Sequence, residues 1–381
     1  MTGKRAIVAA VALCCAGAVP AQIVVSAGDG KQLRPGEAAE SRTADGVTLI
    51  DMRQYPPRPI GTVAMPACMI GPPEAVAVAR NGTFALVTCS ERLEGGRNVP
   101  ATDVTVLDLA DPSKPHVLQT VAAGPGASGV TVNRAGTLAM VASTDDDAIT
   151  VFSIKGKVLT PAGRVQLEPK ARPTDVVFAP SGRTAMVVAQ GQGRLVPLAI
   201  AGARVSIAGP PVAIGVQPYG ASYSPDGRYV YNTNLGGRLP LPPPGTRRIG
   251  TVSALDTATG RTASVTVGIT PEHVTLSRDG RFAAVVVANG TGVAISAPGA
   301  FGLLQVYRVD GITLTKLDEV HTGEWGQGAV FGDDGKTLLL QIAAAKQIEV
   351  YRFDGRKLTR DPAATMQFDT RPGSIAAAGS R

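Results

Sequence analysis

Apolar residues in this chain fall in short runs separated by Gly, Pro and Asp, and no long window shows an apolar stripe at helical spacing. One unit recurs: an apolar or small-residue run, a turn ending in Gly, then a second β-rich run. It reads VARNGTFALVTCS from Val78, VNRAGTLAMVAS from Val132 and FAPSGRTAMVVAQ from Phe178. It returns as YSPDGRYVYNTN at 223–234, LSRDGRFAAVVVAN from Leu276 and FGDDGKTLLLQIA from Phe331. The turn glycines Gly82, Gly136, Gly182, Gly227, Gly280 and Gly335 lie roughly 45–55 residues apart. Two further strand-like stretches follow each unit, with visible alternation in ITVFSI at 149–154 and tight turns at Asp-Pro, Lys-Gly, Thr-Gly and Asp-Gly. The expected fold class is all-β, and a repeat in which each turn joins two strands predicts a four-stranded propeller blade.

Six units are complete, and a seventh is split between the chain ends. The C-terminal TRPGSIAAAGSR copies the innermost strand of a blade and stops, while QIVVSAGDGKQL and DGVTLIDMRQYPPRPIGTVAM supply the other three strands. With strands labelled A to D from the axis outward, the prediction is a seven-bladed β-propeller over residues 22–381. Its ring closes by pairing residues 375–378 with residues 23–27, which leaves no free sheet edge between first and last blade.

The first residues stand apart. Lys4 and Arg5 precede an apolar run at 6–18, and Val19-Pro20-Ala21 forms a small-residue cleavage site, so residues 1–21 read as a signal peptide too short to span a bilayer comfortably. Cleavage removes Cys14 and Cys15 and leaves Cys68 and Cys89; export to the periplasm or medium favours a disulfide between them, with two buried thiols as the alternative. The formal net charge is +7, but basic residues are scattered and aromatics make up only 4%. That balance excludes a nucleic-acid platform. No CxxC, nucleophile elbow, P-loop, dinucleotide fingerprint or zinc motif occurs, and three dispersed His residues do not form a transition-metal site, so no metal is expected and no cofactor is indicated.

The repeat resembles the YVTN-repeat propellers of bacterial secreted proteins. YSPDGRYVYNTN is similar to that family's core motif, and the resemblance runs through residues 22–381. It implies a seven-bladed propeller within a superfamily that includes lactonase-like propellers related to 6-phosphogluconolactonase and carboxymuconate cyclase, and the propeller domains of haem d1 and nitrous oxide enzymes. One such scaffold carries many activities, so the resemblance speaks for fold before function.

In a propeller the D-to-A and B-to-C connections share one face around the axis, and the A-to-B turns lie on the other. The PDGR turn is therefore structural, with Asp226 preparing the turn and Gly227 adopting its backbone. Residues after each blade's Pro or Gly face the axis: Glu74, Ser128, Thr174 and Asp175, Tyr219, Glu272 and His273, Gln327, and Ser374. The candidate catalytic groups are His273, Glu272, Glu74 and Asp175, because converging carboxylates and an imidazole can do acid–base work. Arg172, Tyr219, Gln327, Arg371 and Ser128 are candidate ligand contacts. TPEHV is similar to the Pro-Arg-His of lactonase-like propellers, with Glu272 in place of the Arg, a change that removes a cation able to hold an anionic substrate.

The acidic run at 143–147 reads as a B-to-C turn. Three B-to-C connections, in blades one, four and five, are long: SERLEGGRNVPATD, NLGGRLPLPPPGTRRIG and NGTGVAISAPGAFG. Blades four and five are expected to wall the channel mouth, with Leu239 and Leu241 as apolar contacts, and Trp325 to pack between blades. Two functions remain open. One is an exported binding or scaffold protein that engages a protein partner or small ligand through the channel face. The other is a lactonase-like hydrolase acting on a small lactone or cyclic ester, with water activated by His273 or a channel carboxylate.

Overall fold

The structure is a computed structural model that describes residues 22–34, 36–237, 249–292 and 296–378. The proposed signal peptide, and with it the cleavage site, lies outside the described residues, as do Leu239 and Leu241 in the blade-four connection. Seven antiparallel sheets form the ring, and the described residues hold no helix beyond three short 3₁₀ turns. None of their helices is long and apolar enough to cross a membrane.

The split blade closes as the repeat count requires. The C-terminal strand Arg371–Ala377 pairs with Ile23–Asp29, which continues through Gly46–Asp51 to Arg58–Ala64. Val24 faces Ala377, Val25 faces Ala376 and Ser26 faces Ile375. Nearly every residue of the paired ends is buried, so the closure seals the last gap in the core as well as satisfying backbone groups.

The core is seven wedges, one between each pair of neighbouring blades. Blades two and three share Met140, Ile149, Val176, Val187 and Leu198; the wedge of blades six and seven joins Leu339 and Ile348 to Val24 and Ile375 across the chain ends. A strand inside a blade therefore has a neighbouring blade on both faces. This explains why Phe282–Val287 reads as a continuous apolar run and Thr337–Ile342 is buried throughout, while the outermost Thr262–Gly268 alternates between exposed and half-buried positions. The A-to-B turns are held as the sequence predicts: Ser224 Oγ and the Arg228 N–H donate to Asp226, and Gly227 takes φ +75°.

A belt of hydrogen bonds links the inner strands around the whole ring. Val130 N–H donates to Glu74 O (3.0 Å), Thr144 Oγ1 to Pro173 O (2.7 Å), and Thr174 Oγ1 to Tyr219 O (2.7 Å). Ser222 Oγ donates to Val274 O (3.1 Å), Ala329 N–H to His273 Nδ1 (3.0 Å), Gln341 Nε2 to Ser374 O (2.9 Å) and Ile375 N–H to Pro73 O (3.3 Å). Each of the seven blade junctions thus carries at least one such bond, which satisfies polar groups where the blades meet.

Candidate functional site

The axial channel is a cup of about 1040 Å³ that opens on the D-to-A face. Its floor comes from a repeated position. The second residue of each inner-strand motif points into the cup in five blades: Ser128, Thr174, Tyr219, Glu272 and Gln327 all line it. The next residue turns toward the neighbouring blade, as the period of two along a strand demands. Asp175 and His273 occupy that position and serve the belt. Asp175 Oδ2 accepts from Ala221 N–H at 3.0 Å, and His273 Nδ1 accepts from Ala329 N–H.

His273 and Glu74 meet below the floor. His273 Nε2 lies 3.4 Å from Glu74 Oε1, and both side chains are buried. Because Nδ1 accepts a hydrogen bond, the ring proton sits on Nε2 and faces the carboxylate. Glu74 belongs to blade one, yet it crosses the axis: a Cβ placed on Gly220 of blade four would lie 2.1 Å from Glu74 Oε1. Gly220 is what leaves room for that carboxyl group. Tyr219 also reaches across, its hydroxyl lying near Gly71 of blade one and the Glu74 and Glu272 carboxyl groups. These crossings close the channel into a cup.

Glu272 is the ionisable group of the floor. Burial pushes its carboxyl up to about 8. Burial, with the charges of Glu272 and Glu74, holds the Tyr219 hydroxyl well above its ordinary value, so it keeps its proton. On the wall, half-buried Glu91 is also pushed upward by burial. Arg172 lines the cup with its guanidinium 3.1 Å from Asp145, and its N–H donates to Asp147. Arg371 does not line the cup. Its guanidinium donates to Gln32 O (3.1 Å), Ala343 O (3.1 Å) and Glu37 (2.7 Å) and lies over the Trp325 ring, fixing the loop above it. Of the nine candidate chemical residues, Glu272, Ser128, Arg172, Tyr219 and Gln327 come together at the cup; Glu74, Asp175 and His273 lie beneath it and Arg371 beside it.

Several features escape the sequence pattern. The residue just before the inner-strand motif has positive φ in five blades, Gly126, Arg172, Gln217, Thr270 and Trp325, and in blade one Gly71, one residue further back, does the same; all six line the cup. Such conformations cost a non-glycine residue ~1–3 kcal/mol and concentrate at functional sites. Nothing in the residue types of Gln217 or Thr270 signals this. The blade-seven connection, residues 30–45, also folds over the mouth. It contributes Gln32 and Leu33 and is pinned by Arg34 to Glu37 (2.9 Å) and Glu324 (3.0 Å). Its length was the available signal, the same one that marked blades one, four and five.

The long blade-one connection is not a loop. It extends the hairpin of Phe84–Glu94 and Arg97–Asp108, and turns at Gly95-Gly96 with φ +54° and +80°, as a two-residue hairpin turn requires. Blade five contributes Ala288, Gly290 and Gly292 to the cup, and blade four Leu235 and Gly237. Trp325 packs with Met69 and Ala343 and also lines the wall. The acidic run forms a turn in which Asp146 pairs with Arg164 and Asp145 with Arg172. Cys68 and Cys89 form a disulfide. Among the described residues no group of three His, Cys, Asp or Glu side chains is set to hold a metal ion.

This architecture is that of a seven-bladed β-propeller with a closed axial cup. Solved structures share the propeller fold. A Bacteroides uniformis protein provisionally described as a 6-phosphogluconolactonase matches 94% of this chain and 99% of its own at 16% identity, with a TM-score of 0.70. The Pseudomonas aeruginosa periplasmic gluconolactonase matches 94% and 99% at 15% identity, with a TM-score of 0.67. A hypothetical selenium-binding protein from Sulfolobus tokodaii matches 95% and 94% at 8% identity, with a TM-score of 0.64. At these identities the likeness is one of fold. No family model and no curated protein matches the chain.

Proposed function

We propose that the cup is the active site of an exported hydrolase that opens a small polyhydroxylated lactone. The observation that carries this reading is Glu272, a buried carboxyl pushed up to about 8 on a cup floor that it shares with Ser128, Thr174, Tyr219 and Gln327. An acid–base group works best with its pKa near the operating pH. In its ionised form Glu272 takes a proton from water, whose oxygen attacks the lactone carbonyl. The oxyanion receives the Tyr219 O–H, which keeps its proton because burial holds the hydroxyl well above its ordinary value. Collapse breaks the bond between the acyl carbon and ring oxygen, and the proton on Glu272 passes to the departing alkoxide, giving the hydroxy acid. His273 and Glu74 set the floor from below.

The lactonase descriptions of two fold neighbours support this reading over a purely scaffolding role, and the disulfide and the periplasmic neighbour agree with export. A docking role for the same face draws on apolar residues at the rim, Val216 at 61% and Ile249 at 53% exposure. Hydrolysis of glucono-δ-lactone, followed by proton release against the spontaneous rate, separates the two. The hydrolase reading requires turnover that rises with pH through about 8 and is lost in Glu272→Gln; equal rates for both proteins and buffer would leave only docking.

A further inference from the structure

We propose that the Cys68–Cys89 disulfide is a positioning element of the cup, replacing a missing rung of blade one so that the site's geometry depends on the bridge being oxidised. The inner strand of blade one is cut short. It spans Val76–Val78, where blades two to six have six-residue strands such as Ala127–Val132 and Pro271–Leu276. In those blades a top rung pairs the start of strand A with the end of strand B: Ala127 with Ser143, Pro173 with Ala189, Pro218 with Asn234, Pro271 with Val287 and Gly326 with Ile342. Counting back from Val78 opposite Ala85, the equivalent pair in blade one is Pro73 and Cys89, and its ladder stops at Val76 opposite Val87. Cys89 bonds instead to Cys68 in the connection that precedes the strand.

Both cysteines lead directly into the cup. Met69, Ile70 and Gly71 follow Cys68, Ser90 and Glu91 follow Cys89, and all five line the cavity. Ser90 Oγ donates to Ile70 O at 2.6 Å, and Gly71 lies beside the Tyr219 hydroxyl that reaches across the axis. Met69 packs on Trp325. On its other side Cys89 pairs with Asp103 in the ladder to the next strand, and the register shifts between Cys89 and Glu91, so a one-residue bulge at Ser90 carries that side chain toward Ile70. Besides the bridge, residues 69–71 are held by the Met69 N–H to Asp29 of blade seven (3.1 Å) and by Ser90 to Ile70 O, so the bridge is the covalent link that ties this segment to blade one. An added dithiol would supply two electrons and two protons to the bridge, giving two thiols while the dithiol closes to its own cyclic disulfide.

Trp325 is the chain's only tryptophan, so its emission reports on this wall without any ligand. The protein is compared oxidised, reduced with dithiothreitol until the Cys68 and Cys89 thiols both titrate, and as the Cys68→Ala, Cys89→Ala double variant. The expected result is a shifted and more acrylamide-quenchable Trp325 emission, with the cooperative thermal transition retained. Turnover of glucono-δ-lactone, which rests on the reading above, should fall by ~10- to 100-fold, the usual consequence of a ~1 Å misplacement at a site. An unchanged emission in the double variant overturns the proposal. So does loss of the cooperative transition in both forms, because the bridge would then hold the ring and not the cup. Since the emission needs no substrate, absence of lactonase activity leaves this test intact.

Discussion

Replacing Glu272 by Gln isolates the energetic cost of keeping a carboxyl on the cup floor. In the folded chain the group binds its proton up to about pH 8, whereas its ordinary value is 4.5. The raised value means that its contribution to stability is fully present below pH 4.5 and is lost as pH rises through about 8, because the unfolded chain releases the proton first. Each pH unit between those values costs about 1.4 kcal/mol, so the whole interval amounts to ~5 kcal/mol. This is an upper figure, since the open cup admits water to the charge. Gln, of the same shape and without a titrating proton, escapes this loss. With an unfolding entropy of ~2.1 cal/mol/K per residue, a ring of about 360 residues converts ~5 kcal/mol into a Tm difference of ~6 °C. Glu272→Gln should therefore melt with the wild type near pH 4.5 and progressively above it toward pH 9, while losing turnover throughout. Differential scanning calorimetry across that range, on both proteins in the same buffers, measures the difference directly. Melting curves separated by the same interval at every pH would refute the buried, proton-holding carboxyl.

Other substitutions probe the layers beneath and around the floor. Gly220→Ala places a methyl 2.1 Å from Glu74 Oε1 and should cost ~1–3 kcal/mol by overpacking, read as a lowered midpoint in urea; an unchanged midpoint would mean that Glu74 does not cross the axis. His273→Ala leaves the buried Ala329 N–H without its acceptor and removes the imidazole beside a buried carboxyl, a loss of ~1–3 kcal/mol. Turnover per folded molecule should nevertheless stay within ~tenfold, since the ring lies below the cup; abolished kcat in a folded variant would make His273 the base. A chain ending at Asp369 lacks the strand Arg371–Ala377 and its rungs to Ile23–Asp29, and should show no cooperative transition at the wild-type Tm. An identical melt would show that the ring does not need its closure.

The repeat made the ring legible before any coordinates. Six turn glycines and a divided seventh unit specify both the blade number and the pairing of the chain ends, because each blade must bury two apolar faces and the last blade has no other partner. The residues following each blade's Pro or Gly were equally readable as axial. What the linear pattern does not contain is which of two adjacent axial residues faces the cavity. Glu272 and His273 stand side by side in TPEHV, yet one floors the cup and the other clamps blade six. Glu74 occupies a cup-lining position in the repeat but drops beneath the floor, since blade one's inner strand is short and Gly220, on the far side of the axis, makes room for it. Arg371 looked like a ligand contact and instead fixes the blade-seven connection, whose position over the mouth follows from ion pairs to residues distant in the chain. Local periodicity sets the strands and their order; the depth, charge state and partners of an axial side chain depend on what the opposite blade places in front of it, and only the closed ring brings the two together.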